Sequence, residues 1–439
     1  MARGENLSDD RWSLGSRLAF RFCCTYALIE WATLGVLLHT SPLTVGLLSN
    51  PNWFGSLNIT LGRWLIAHVL NLPEHSLSGM SANNLPLFLG MIAAGAISAV
   101  VALAWSGLDR RRAGHPDLFL WVHTGMRFVL AATMLLYGWA KVLPEQFDAG
   151  LDYMALEVAQ HNPRDLLWAF MSGSREYQVF TGLIEVTGGL LLLTRRTAML
   201  GAVISMAAMA NVLVLDISYD VPVKFLAGQI FLMCLFVLAP FARRLLSAFD
   251  LSRSIQGSRA RRLLRSASAD RVVRAVGVAV GIWIALTTLQ DNRDFIARND
   301  LARQTNPLYG IWDLEAKSRN GATVPLLITD ETLWRRLIVQ SSAAAVIVPM
   351  MQSAPPPRWT GRGSPVRYTL RLDSVAHTIE LTPFPFSATR ERLAFAYALP
   401  DPDHLVLTSK STDDTSITRL RRFDLSTYPL LNWERHWNW

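Results

Sequence analysis

Seven stretches of this chain are long and apolar enough to cross a lipid bilayer: residues 17–38, 85–106, 119–142, 176–194, 198–216, 221–241 and 272–289. They constrain everything else. About twenty helical residues, rising about 1.5 Å each, match the hydrocarbon thickness, and a backbone facing lipid must satisfy its own hydrogen bonds. With 51% of its 439 residues hydrophobic and only 17% charged, the chain has too few charges to cover a soluble surface. The expected fold class is an α-helical polytopic membrane bundle.

Loop charge orients the spans. LDRRRAGH (108–115), Arg195 with Arg196 and an arginine-rich stretch from Arg243 to Arg274 alternate with connections 39–84, 143–175 and 217–220, which are poor in Lys and Arg. Basic loops stay on the cytoplasmic side, so the N-terminus is expected in the cytoplasm and the C-terminal part outside, periplasmic or extracellular. WFGSLNITLGRWLIAHVLNL (53–72) is interrupted by Asn58, Arg63, His68 and Asn71, and reads as a helix lying in the interface. A crossing there would reverse the parity of every later loop. MARGENLSDDRWSLGSR leads straight into a run longer than a signal-peptide core, so the first span is expected as a retained anchor.

The net charge of +8 comes mainly from arginines flanking the apolar runs, which argues against a nucleic-acid-binding face. Cys23, Cys24 and Cys234 form no CxxC and no Cys/His cluster, so they read as packing residues and no metal site is expected. There is no GxSxG elbow, P-loop, GxGxxG or HExxH, and no ligand set for haem or an iron–sulfur cluster. No cofactor is expected to be built in. If electrons move here, a quinone or a redox partner protein carries them.

Polar residues inside the spans are the candidate site. On the third span His123, Arg127, Gly138 and Lys141 share a stripe with Tyr137 at its edge, and on the fourth Gln178, Gly182, Glu185 and Gly189 line another. Counting helical rise puts Arg127 about twelve ångströms from one end of its span and Glu185 about fourteen from the opposite end of its own. Both then fall near the bilayer middle, where a charge is costly unless paired or set in a cavity, and a Glu185–Arg127 pair is expected. Glycines in TGLIEVTGGLLLL allow close helix approach. Tyr137, Lys141, Asn211, Asp216, Tyr219, Asp220 and Lys224 are expected to gather near the outer ends of the third, fifth and sixth spans as a substrate pocket. Taken singly, Lys141, Asp216, Asp220 and Lys224 read equally as markers of the water interface. His123 reads as a hydrogen-bonded packing residue.

The last part of the chain changes character. YGIWDLEA, WRRLIVQ, AAVIVPMM, VRYTLRLD, HTIELT, RLAFAYAL, HLVLTSK and SITRLRRF are short, rich in β-branched and aromatic residues, and separated by turn formers. Eight such strands suffice for a small closed barrel. GIW (310–312) at the start of the first strand is similar to the glycine-x-tryptophan that opens lipocalins, with Arg421 or Arg422 placed to cover the indole. Trp312 then either closes a packed barrel end or borders a ligand cup. APPPRW (354–359) reads as a rigid connector, and the tail LLNWERHWNW as an interface dock or a barrel lid.

An arginine within a span, YGWAK at its end, QF soon after, then GLIEVTGGLLLLTRR and a span following SYDVPVK together resemble the DoxX family of bacterial membrane proteins, over roughly residues 119–245. The resemblance implies a four-helix core in the bacterial inner membrane, related to quinone-reducing subunits of thiosulfate:quinone oxidoreductases. It places Arg127, Lys141 and Glu185 at the family's polar core positions. The domains expected are an anchor with two spans (1–118), a DoxX-like core (119–245), a basic cytoplasmic linker (246–271), a last span (272–289) and an external β-rich domain (290–439). Two functions follow from different classes. One is a quinone-interacting oxidoreductase subunit, with Arg127 and Glu185 as catalytic candidates and a periplasmic or membrane redox partner. The other is a non-catalytic scaffold whose β-domain binds a lipid or protein partner. A transporter is weaker, because no inverted repeat and no helix broken at its middle is evident.

Overall fold

The computed structural model describes residues 12–31, 53–72, 81–143, 146–147, 150–158, 161–221, 223–242, 245, 266–330, 333–340, 344–350, 365–384, 391–411 and 414–425. Residues 246–265 of the basic linker, the APPPRW connector and the tryptophan-rich tail, on which three of the expectations rest, lie outside the described residues. The chain divides into two compact units. One comprises Met1–Leu143 with Val179–Asn292, and the other Pro144–Gln178 with Arg293–Trp439.

The first unit is helical. Its elements are α1 (Leu14–Tyr26, continued by a π-helical turn to Trp31), α2 (Trp53–His68), α3 (Ser81–Leu108) and α4 (Pro116–Val142). After the residues of the other unit come α7 (Arg175–Leu193), α8 (Ala198–Ser218), α9 (Lys224–Leu238) and α10 (Ala267–Thr305). Among the described residues, five helices are long and apolar enough to cross a membrane: residues 85–108 of α3, then α4, α8, α9 with its 3-10 extension to Phe241, and α10. They form a helical membrane part, as the apolar runs imply. α4 starts at Pro116, whose missing N–H costs nothing at the first helical position.

α2, expected to lie in the interface, packs antiparallel along α3. Gly62 faces the Pro86 backbone and Gly90 the Asn58 backbone so closely that a Cβ on either would overlap main chain. At 16 residues it is about 24 Å long, shorter than the hydrocarbon core. One of its four interruptions turns inward, Asn58, whose Nδ2 donates to both oxygens of buried Glu30 at 3.1 Å, while Arg63, His68 and Asn71 are exposed. The first span also carries Arg21, 2% exposed, within 3.5 Å of Asp109 and 3.3 Å of the His115 ring. At Asn58, polarity that reads as an interface signal is internal pairing.

α4, α8 and α9 share one hydrophobic core, in which Leu130, Met134, Ala202, Met233 and Val237 are fully buried. His123 Nε2 lies 3.0 Å from the Val237 carbonyl oxygen, between Phe119, Phe236 and Phe241, the packing role expected of it.

The second unit is a closed antiparallel barrel. The strands are β1 (Gly310–Arg319), β2 (Ala322–Val324), β3 (Trp334–Val339), β4 (Ala344–Pro349), β5 (Val366–Asp373), β6 (Thr378–Pro383), β7 (Leu393–Asp401), β8 (His404–Ser411) and β9 (Asp414–Arg422). From β3 onward each strand pairs with its sequence neighbour, and β1 joins β3 on one side and β9 on the other, which leaves no open edge among these eight. β2 adds a short hairpin to the far half of β1. Along β5 to β9 every second side chain points in, including Tyr368, Leu370, Ile379, Leu381, Tyr397, Leu407 and Leu420. This interior is a packed core, so the cup reading of Trp312 gives way to the structural one.

The barrel end is closed by Trp312, fully buried, whose Nε1 donates to the Leu308 carbonyl at 2.8 Å. Arg422, of the two arginines expected, covers it with its guanidinium 4.2 Å from the indole centroid. It also donates to the carbonyls of Tyr309 and Pro307 at 2.7 and 3.0 Å. Gly310 has φ +137°, and a Cβ there would come within 3.1 Å of Arg422 Nη1, so both backbone and neighbour require glycine.

β3 and β4 are buried on consecutive residues, unlike the alternating strands. The outer face of Ile338, Val346 and Val348 is covered by Leu151 and Ala155 of a short helix, α5 (Leu151–Ala155), together with Phe423 and Leu425. Residues 144–178, expected as a plain connection between spans, therefore fold as part of the barrel unit, with a second helix, α6 (Pro163–Ser172), capped by Asn162. Continuous apolar runs in β3 and β4 follow from two covered faces.

Candidate functional site

The register of α4 against α7 decides which charges meet. A Cβ on Gly138 would lie 2.7 Å from Val186 Cγ2 and 2.9 Å from the Gly182 carbonyl, and one on Gly182 would lie 2.8 Å from the Val142 amide and 2.9 Å from Lys141 Cβ. Gly189 similarly meets Ala131 and Leu135. The two helices run antiparallel in backbone contact, with Gly182, seven residues into α7, opposite Val142, the last residue of α4. Small residues at 182 and 189 serve the close approach expected of them.

That register pairs Glu185 with Lys141, not with Arg127. Lys141 Nζ donates to Glu185 Oε1, and both residues are buried, at 5% and 2% exposure. Arg127 lies fourteen residues, about 21 Å, further back along α4, near the level of Leu193. The Glu185–Arg127 expectation fails because depth was counted from helix ends taken as level, whereas the glycine contacts offset α7 from α4 by about two turns. Arg127 is buried with its guanidinium 4.6 Å from the Phe128 ring centroid, and its Nη1 has no hydrogen-bond partner among the described residues.

Other polar groups join the Lys141–Glu185 pair. Asp216 on α8 is buried, with Lys141 and Lys224 the cations within electrostatic reach. Tyr137, packed against the hydrophobic core one turn before Lys141, lies within reach of both Glu185 and Asp216. Glu185 Oε2 and Asp216 Oδ2 are buried without a hydrogen-bond partner among the described residues. The rest of the expected pocket does not converge. Asn211 is exposed on the outward side of α8. Asp220 is exposed, with φ 51°, and pairs with Lys224 four residues on, as an interface marker would. Tyr219 is half-buried at the α8 terminus.

A second buried charge cluster was missed entirely. Arg367 on β5 donates from Nε and Nη2 to Asp152 Oδ2 at 3.1 and 2.9 Å and from Nη2 to Asp165 Oδ2 at 2.9 Å, with its guanidinium over Tyr153. Burial works against the Arg367 charge, but the Asp152 and Asp165 carboxylates outweigh it and the net direction of its pKa is upward. His161 beside them is pushed down, chiefly by burial and also by Arg367, against the raising effect of Asp165 and Asp152. Arg336 adds a bond to the Ala155 carbonyl at 3.3 Å and Arg335 one to Glu157 at 2.6 Å. These bonds strap residues 150–165 onto the barrel. No local pattern could have announced partners about 200 residues apart, although the acidic residues of 150–165 were visible.

Comparison with known proteins gives one informative match. Over 123 residues the chain is 34% identical to the uncharacterized protein YwoB of Bacillus subtilis (strain 168), a match spanning 79% of that protein and 28% of this chain. The chain belongs to the YwoB family. No family model and no solved structure matches it. The YwoB match takes in 28% of this chain, so most of the molecule lies outside what that relative shares.

Proposed function

We propose that this protein is a DoxX-like subunit of a bacterial inner-membrane redox complex, and that its helical unit binds a quinone at Tyr137, Lys141, Glu185 and Asp216. One observation carries the reading: two buried carboxylates, each with an oxygen lacking a partner among the described residues, beside a buried ammonium and a phenol on membrane helices. Ionisable groups at such depth mark sites of function by default. Reduction of a quinone to its quinol takes up two electrons, from a partner protein's redox centre, and two protons. Tyr137 and Lys141 would donate hydrogen bonds to a carbonyl oxygen as negative charge grows on it. Glu185 and Asp216 would hold and deliver the protons. Arg127 has no part in this site.

The proposed orientation keeps the N-terminus cytoplasmic and the barrel periplasmic or extracellular. Residues 144–178 and 293–439 fold as one unit, so the chain between them crosses an even number of times. α8, α9 and α10 account for three crossings, and α7 supplies the fourth despite Glu176 and Glu185. The basic loops at 109–112 and 195–196 then share one side, which the positive-inside rule makes the cytoplasm.

A second reading rests on the packed barrel and its strap, which suit a scaffold holding an envelope complex. Purification in mild detergent and extraction of bound lipid separates the two. Quinone retained by the native chain and by Asn211→Ala, but lost in Glu185→Gln and Asp216→Asn, supports the oxidoreductase subunit. A lipid extract unchanged by Glu185→Gln and Asp216→Asn supports the scaffold.

A further inference from the structure

Arg127 is the cation the quinone reading leaves over, and its surroundings give it another use. Phe128, next to it, packs its ring on Gly277 of α10, and Leu193, the last residue of α7, packs on Gly281. Arg274 is one turn before Gly277 and Arg195 two residues past Leu193, so three helices bring three arginines to one end of the bundle. Each guanidinium lies within electrostatic reach of the other two. Asp270, which is buried, pairs with Arg274. The other titratable neighbour, His123, is engaged with the Val237 carbonyl. Arg127 is 5% exposed, and its Nη1 has no partner among the described residues.

A cation cluster whose innermost member, Arg127, is buried with an unmet donor asks for an anion, since unpaired buried charge costs several kcal/mol. The neighbourhood says which kind. Val272 and Val276 flank Arg274 and are 61% and 55% exposed, while Leu190 and Leu200, on either side of Arg195 along the chain, are 47% and 52% exposed. Acyl chains would cover these apolar side chains while the phosphate meets the guanidinium groups. The level of Arg127 matches the last turn of α7, where the helix gives way to the Arg195–Arg196 loop and headgroups lie.

We propose that Arg127, Arg195 and Arg274 form a binding site for the headgroup phosphate of an anionic phospholipid, at the end of the bundle opposite the Lys141–Glu185 pair. Basic pockets between membrane helices recognise such headgroups by this chemistry.

Native mass spectrometry of the full-length protein in detergent, titrated with phosphatidylglycerol, cardiolipin or phosphatidylcholine, tests it. The expected result is retention of an anionic lipid at least about tenfold above phosphatidylcholine, a preference of about 1.4 kcal/mol. Arg127→Gln and Arg274→Gln should remove that preference and Arg127→Lys should keep most of it. Thermal unfolding of each variant in lipid-free detergent checks that it is folded, and Arg195→Gln stands in should Arg127→Gln not fold. Equal retention of phosphatidylcholine, or unchanged preference in folded Arg127→Gln and Arg274→Gln, overturns the proposal. So does full displacement of the bound lipid by inorganic phosphate at millimolar concentration, which would assign the arginines to a soluble anion.

Discussion

Removing one member of the Lys141–Glu185 pair leaves a charge buried among helices, and that loss exceeds what the pair itself contributes. Lys141→Met or Glu185→Leu alone is expected to cost about 3–5 kcal/mol, whereas the double variant should recover most of it. A double-mutant cycle by unfolding in detergent measures this, and simple additivity of the two losses would refute the pairing. His161 makes a pH prediction for the barrel unit. Its folded pKa lies below the usual 6.5, because burial disfavours the imidazolium. The unfolded chain therefore binds the proton more readily. His161 contributes stability that is present above the unfolded value and lost as pH falls from 6.5 through the folded pKa. Thermal melts across that window should show the unit weakening on acidification, and His161→Gln should flatten this part of the profile. The residue types of the helical site were legible from depth alone, since Glu185, Lys141, Tyr137 and Asp216 all belong to it. Their partners were not. Rise per residue fixes where a charge sits along its own helix, but the offset between helices comes from glycine contacts that no single-helix count contains. Arg21 and Glu30 show the complementary lapse: both lay in an apolar run and carried the same signal as Arg127, yet were passed over.

Helix pairs here are set by backbone approach and strands by their covering. Gly182→Leu must push α7 off α4 and should lower stability by at least about 1–3 kcal/mol, while Gly95→Leu, with open space around its Cβ position, should be nearly silent. Comparison of the two by thermal unfolding in detergent would discriminate a packed seam from a lipid-facing glycine. In the barrel, Trp312→Ala is expected to cost about 3–5 kcal/mol, and Arg422→Met a smaller amount of about 0.5–2 kcal/mol from the lost stacking. Denaturant unfolding of the full-length protein, read by barrel fluorescence, measures both. The eight strands β1 and β3–β9 were all readable as short β-branched runs between turn formers, because each buries at least one face locally. Strand β2, three residues long, was too short to carry a pattern. On α2 only Asn58 misled, because periodicity cannot tell a side chain turned to water from one turned to Glu30.

Across the whole molecule, the joining of residues 144–178 to the barrel predicts sidedness. Single cysteines at Val158 and Val375, 73% and 93% exposed, should react with an impermeant thiol reagent from one side of intact cells, and a cysteine at exposed Arg111 only from the other, in a background lacking Cys23, Cys24 and Cys234. Labelling of positions 158 and 375 from opposite sides would break the even-crossing argument. The Arg367–Asp152 bond joins residues 215 apart in sequence. It therefore sets a timetable for biogenesis. While the ribosome is still making the later helices, the segment between α4 and α7 already exists with its two aspartates unanswered. It must wait, with other groups in place of Arg367, until the last strands arrive to complete it.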